Sequence, residues 1–280
     1  LAFLGHCELQ DSPQFGPTVQ KAIDFLTSES PDELTGTANN GAYAHGIRTY
    51  ALCDAYTMTK IPKLKEYAKR AAIFTIKGQN ENGGWAYGFG KGPVAHTDLS
   101  VSGWCIQGLK AAALTGIPID GLDESMDKAI EYVKRCQDQT GRFQYKTDSH
   151  GGQSGRGSLT GTGILSLQIW KNAKSEEARK GLDWIVANIC DNKSQKEWKN
   201  VNVYGWYYHA QACFQATGAG GANYWRAWNR DFQQIVTKAQ SEDGHWKHGY
   251  HFHGDTDIYR TAMTILMLEV YYRYMPSTKV

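Results

Sequence analysis

Between positions 245 and 257 the chain carries four histidines, His245, His248, His251 and His253, and two aspartates, Asp255 and Asp257. Imidazoles and carboxylates gathered in a short stretch suit two kinds of chemistry, acid–base transfer and coordination of zinc, nickel or copper. The stretch reads as a loop, with no helical register to align ligands, so neither a metal nor a cofactor is expected there. Asp255 and Asp257 stand two residues apart just before an apolar segment. The plainer expectation for Asp257 is a cap on the apolar helix that follows.

The other polar candidates fall just before or within the first turns of apolar segments. They are His45 and Arg48; His96, Asp98 and Ser102; Arg156 and Thr160; Tyr204, Trp206, Tyr208 and His209; and Tyr259 and Arg260. Helix N-termini offer free N–H groups and partial positive charge, so with Arg48 and Arg260 they would hold an anion such as a diphosphate or carboxylate. Asp98, like Asp257, is equally well placed as a cap. Aromatics make up 12% of the chain, and Trp104, Trp170, Trp206, Tyr207 and Tyr208 stand on apolar segments. Such rings stabilise a cation passing through an apolar cavity, and they also fill cores. The glycine-rich stretch from Gly151 to Gly157 lacks the Lys-Ser/Thr of a phosphate loop and reads as a mobile loop over a pocket mouth.

The elements that must position these residues repeat. Gln79-Asn-Glu-Asn-Gly83-Gly-Trp85 returns as Gln137, Gly141 and Phe143 and as Gln240, Gly244 and Trp246, with eroded copies at Ser28–Leu34 and Asn192–Trp198. Starts at 28, 79, 137, 192 and 240 give a period near 50, the mark of one supersecondary unit used again and again. Each unit reads as an amphipathic outer helix, the motif, a loop and an inner helix apolar on nearly every side. Outer helices are predicted near 17–30, 61–80, 121–138, 176–192 and 224–240, and inner ones near 43–59, 98–116, 158–173, 203–217 and 257–274. The motif is expected to be a structural clasp: its glycine stops the helix, its aromatic folds back over the glutamine, and the glutamine bonds unpaired backbone at the helix end. About ten helices in hairpins that cannot bury their apolar sides alone predict an all-α protein, a single α/α toroid over residues 1–280, with an open solenoid as the alternative.

The +2 net charge is spread along the chain, which argues against nucleic acid or an anionic membrane as partner. The apolar runs fall short of the roughly 20 residues that span a bilayer. Six single cysteines with no Cys-x-x-Cys pair read as buried thiols. Leu1-Ala-Phe-Leu-Gly5 resembles the tail of an apolar helix, and an upstream segment is expected to be missing; the compartment is left open.

The clasps resemble the QW motifs of squalene cyclases and the matching repeats of protein prenyltransferase β subunits, over essentially all 280 residues. The resemblance implies an α/α toroid with parallel inner helices, whose N-terminal ends surround the mouth of a cavity that accepts isoprenoids. It implies a terpenoid cyclase-like activity in which Asp257 is the acid, Asp255 tunes it, and Trp206, Tyr208 and Tyr259 shield positive charge. His45, Arg48, Asp98, Trp104, Tyr204, His209 and Arg260 would complete the substrate site. The functional strings depart from the family. Asp255-Thr-Asp257-Ile258 lacks the last acid of Asp-x-Asp-Asp, and Asp257-Ile-Tyr-Arg-Thr261 has Arg260 where zinc prenyltransferases place a histidine ligand. Asn202-Val-Tyr-Gly-Trp206 likewise lacks the Asp-x-Cys ligand pair, and Cys7-Glu-Leu-Gln10 keeps only the outer residues of the complement-type thioester string. The expected partner is an apolar small molecule, or another protein if the chain is a non-catalytic binding module. A further alternative is a polysaccharide lyase or glycosidase-like toroid, with His45 or His209 as base and Arg260 clamping a carboxylate.

Overall fold

The computed structural model describes residues 12–34, 41–92, 95–147, 157–192, 196–249 and 256–271. Ten α-helices lie among them, alternating in character as the periodicity predicts. The outer helices are α1 Gly16–Leu26, α3 Pro62–Lys77, α5 Leu122–Arg135, α7 Glu176–Ile185 and α9 Ala222–Ala239. The inner helices are α2 Gly41–Thr59, α4 Leu99–Leu114, α6 Thr160–Ile169, α8 Val203–Gln215 and α10 Asp257–Leu268. All ten residues of α6 are buried, whereas α9 buries Trp228, Phe232 and Val236 out of eighteen, so inner and outer are distinguished by burial as well as by sequence. A two-stranded antiparallel ribbon, β1 Trp85–Ala86 with β2 Thr97–Asp98, is the regular strand pairing among the described residues. No described helix is long and apolar enough to cross a membrane.

The described residues gather into two compact units, one ending at Arg135 and one beginning at Cys136. In the first, α2 packs on α1, α3 and α4; in the second, α8 packs on α6, α9 and α10. Small residues let the inner helices approach closely. A Cβ at Gly46 would lie 3.1 Å from the backbone of Trp104 and Cys105, and one at Gly161 would lie 2.5 Å from the backbone of Tyr208. The five described cysteines, Cys53, Cys105, Cys136, Cys190 and Cys213, are buried thiols, as their apolar settings predict.

The clasps form, with a different division of labour from the one expected. The aromatic, rather than the glutamine, serves the end of the preceding helix: Trp85 Nε1 donates to Thr75 O at 2.8 Å and Trp246 Nε1 to Val236 O at 2.8 Å. The glutamine closes its own loop and reaches the next outer helix. Gln79 Nε2 donates to Gly83 O (2.9 Å) and Ser125 O (2.8 Å), and Gln137 Nε2 to Gly141 O (2.9 Å) and Glu177 O (2.8 Å). Gln240 Nε2 donates to Gly244 O at 2.9 Å. Gly83, Gly141 and Gly244 have φ of 89°, 91° and 91°, the left-handed region that side chains resist. A hydroxyl at the start of each following inner helix accepts the aromatic's backbone N–H: Ser102 from Trp85, Thr160 from Phe143 and Thr261 from Trp246.

Three of the predicted helices that stop early end in altered geometry. Inner segment 158–173 ends at Ile169, where Trp170 leaves helical geometry and Lys171 takes φ 61° with its ammonium 4.6 Å above the Trp170 ring. Outer segment 176–192 loosens after Ile185 into a π-helical turn, Val186–Cys190, and 257–274 gives way after Leu268 to a 3-10 turn at Glu269–Tyr271.

Candidate functional site

Where the third clasp meets the start of α10, three residues of the histidine-rich stretch, His245, His248 and Asp257, come together with Asp243 in the second unit. Thr256 caps α10 by accepting from Tyr259 N at 3.2 Å, which frees Asp257, the first helical residue, from the capping role expected of it. Asp257 Oδ1 instead accepts from the backbone N of His248 (2.6 Å) and lies 2.8 Å from its Nδ1. Its other oxygen lies 3.6 Å from His245 Nε2, and His245 Nδ1 lies 2.5 Å from Asp243 Oδ1. A carboxylate oxygen only accepts, so in this contact the His248 Nδ1 is the donor. His245 stands between two carboxylates, those of Asp243 and Asp257.

The cluster is open to water, with the His248 side chain 63% and Asp257 45% exposed. The side-chain bond from His248, reinforced by its backbone N–H, holds the Asp257 carboxyl below the usual carboxylate range, and the bond from His245 does the same for Asp243. Asp257, expected as the proton donor, thus lies in contact with His248 and His245 and its carboxyl is held toward the ionised form. Asp255, His251, His253 and Arg156 lie outside the described residues. Among the described residues no group of three or more His, Cys, Asp or Glu is arranged to hold a metal ion. Asp243 was missed by sequence reasoning, although it stands inside the third clasp, immediately before its glycine.

The remaining predicted residues are occupied with structure. Arg48 donates through Nε and Nη2 to Leu26 O (3.0 and 2.7 Å), through Nη2 to Glu29 O (2.7 Å) and through Nη1 to Ser30 O (3.1 Å). Arg260, fully buried, donates through Nη1 to Trp198 O (3.0 Å) and through Nη2 to Val201 O (2.9 Å). Both arginines, expected to hold an anion and at Arg260 to clamp a carboxylate, thus fasten backbone carbonyls. His45 Nε2 bonds Ala71 O (3.1 Å) and His209 Nε2 bonds Gly157 O (3.2 Å). Burial pulls both imidazoles down to a pKa of about 4, so both rings, expected as candidate bases, are neutral near pH 7 and closed off from solvent. Asp98 is the cap it was equally placed to be, accepting from Ser100 N (2.7 Å) and Val101 N (3.0 Å).

The aromatics of the inner helices pack against one another. Trp104 contacts Tyr43 and Tyr50, Tyr204 contacts Tyr208, and Trp206 meets Trp228 edge-on at 5.2 Å. Trp104, Trp206 and Tyr208 are buried core rather than cavity lining open to solvent. Tyr259, by contrast, is only partly buried and sits beside Asp257 in the first turn of α10.

No protein-family model and no curated protein matches the chain. Solved structures do. The chain is similar to the cellobiose 2-epimerase of Bacillus thermoamylovorans B4167, with a TM-score of 0.67 and 14% identity over 96% of this chain and 84% of that one. It is also similar to an inactive variant of the α-1,6-mannanase of Salegentibacter sp. HEL1_6 in complex with α-1,6-mannotriose, with a TM-score of 0.57 and 14% identity over 91% of this chain and 80% of that one. The chain shares the all-α fold of these α/α-toroid proteins. Neither is a squalene cyclase or a prenyltransferase, and what these structures bear out of the resemblance carried by the clasps is the fold.

Proposed function

We propose that the protein is a carbohydrate-processing enzyme that moves protons at a sugar carbon next to a carbonyl group, with His248 and His245 as the acid–base pair. The observation that carries this reading is the exposed cluster in which Asp257 orients two imidazoles and Asp243 holds the second. Such an enzyme needs one group to take a proton from carbon and another to protonate the carbonyl oxygen while the electron pair spreads between them. His248, protonated on Nδ1, offers Nε2 as the base; His245, bracketed by carboxylates, is the donor. The enediol turns about its C2–C3 bond, His248 returns the proton to the opposite side of C2, the hydroxyl gives its proton back to His245 to restore the carbonyl, and the sugar is epimerised. Hydrolysis fits less well, because glycosidases hold one carboxyl protonated, whereas Asp243 and Asp257 are both kept ionised by their histidines. The fold shared with a sugar epimerase and a mannanase supports the substrate class.

The test is solvent exchange. Cellobiose and α-1,6-mannobiose incubated with the protein in D2O are expected to lose the C2 proton signal in NMR spectra. His248→Ala and His245→Ala should each slow that loss by about 10²-fold or more with the circular dichroism spectrum unchanged, since both rings lie at the surface. Full retention of the C2 proton in both sugars by the wild-type protein sinks the proposal.

A further inference from the structure

Trp198 belongs to the eroded fourth copy of the motif, and its surroundings differ from those of Trp85 and Trp246. Those two indoles are buried with their N–H groups on the preceding helix, whereas Trp198 is half-exposed. One face of its ring covers the guanidinium of Arg260, whose Cζ lies 5.0 Å from the ring centroid. Arg260 is fully buried, so the face of the ring turned to it is closed. The indole Nε1 donates to Lys247 O at 3.1 Å. That carbonyl is bonded to the nitrogen of His248, and peptide dimensions then put the indole nitrogen within about 5.5 Å of His248 N.

We propose that the outward face of Trp198 is a stacking platform for a pyranose ring of the substrate, a proposal that rests on the carbohydrate reading above. Roofing over a buried arginine explains only one face of the ring. The other is a flat, electron-rich surface, the partner that the C–H side of a sugar ring requires, and it lies at the margin of the acid–base cluster. Its orientation is set in advance. Arg260 pins the Trp198 and Val201 carbonyls, the indole N–H is fixed to Lys247, and a Cβ at Gly249 would collide with Arg260. A ring held in place without ligand loses little freedom on binding, so stacking contributes to affinity nearly in full. Trp198 is thus assigned to binding and His248 to turnover.

Calorimetric titration of the full chain with cellotetraose and with α-1,6-mannotriose tests the assignment, alongside the exchange assay. Trp198→Ala is expected to weaken binding and raise KM about ten-fold with kcat little changed. Trp198→Phe, which keeps an aromatic face and the roof over Arg260, should retain most of the affinity. His248→Ala should bind as wild type and lose turnover. Wild-type affinity in Trp198→Ala with its folding intact overturns the platform while the acid–base reading stands. Equal losses in Trp198→Ala and Trp198→Phe also overturn it, because the indole N–H bond to Lys247, and not the face, is then what matters. A wild-type protein that neither binds nor exchanges either sugar overturns both.

Discussion

The intact clasps and the eroded ones solve the same problem by different means. At residues 79–85, 137–143 and 240–246 a neutral glutamine and a glycine in left-handed geometry close the loop locally. At 28–34 and 192–198 the glutamine is gone, and an arginine from a later inner helix takes over, Arg48 on Leu26, Glu29 and Ser30 and Arg260 on Trp198 and Val201. A glutamine side chain supplies one or two neutral bonds, while a guanidinium supplies several charge-assisted ones in a fixed fork. The lesson is that the loop's carbonyls must be satisfied in every repeat, and that losing the motif displaces the donor without removing the need.

The largest expected effect tests the arginine fastening. Arg48→Ala leaves three carbonyls without their donor and should cost about 3 to 4 kcal/mol in urea denaturation. Arg48→Lys, which keeps the charge but not the fork, should cost about 2 kcal/mol. A loss under 1 kcal/mol in the alanine variant would show that water replaces the guanidinium and that the two fastenings are not equivalent.

Acid separates fastening from burial, because neither glutamine nor arginine titrates in the range where His45 and His209 do. Both imidazoles have a native pKa of about 4 against 6.5 unfolded, so between those values the unfolded chain binds more protons and stability falls as pH falls. The contribution is fully present above about pH 6.5, and up to about 3 kcal/mol per ring is lost on approaching pH 4. His209→Gln should flatten the difference in denaturation midpoint between pH 7 and pH 5; an unchanged slope would mean that the ring is accessible in the native state.

The smallest effect distinguishes the intact clasps from one another. Gln137 makes two bonds and Gln240 one among the described residues, so Gln137→Ala should cost about 2 kcal/mol and Gln240→Ala about 1 kcal/mol. Equal losses would show that the bond to the next outer helix adds nothing.

The alternation of helices was legible because burial on one side and burial on all sides leave different periodicities, and a 50-residue repeat gave five independent readings of each. The clasp was legible as a device, but not its wiring, since nothing in the spacing says that Trp85 rather than Gln79 serves Thr75. Arg48 and Arg260 were misread for a related reason. A charged residue in the first turns of an apolar helix has the same local signature whether it meets a ligand or a distant carbonyl, and only the tertiary contacts with Leu26 or Val201 decide. The histidine-rich stretch was visible by residue type, whereas the pairing within it, His248 with Asp257 and His245 with Asp243, depends on how the clasp folds back against α10.

Each glutamine that reaches the following outer helix ends on main chain, at Ser125 and at Glu177, and not on a side chain. A main-chain acceptor persists whatever residue occupies the position. Adjacent hairpins can accordingly drift apart in composition, or be copied and spliced in, with the joint between them intact and no matching change demanded of the neighbour.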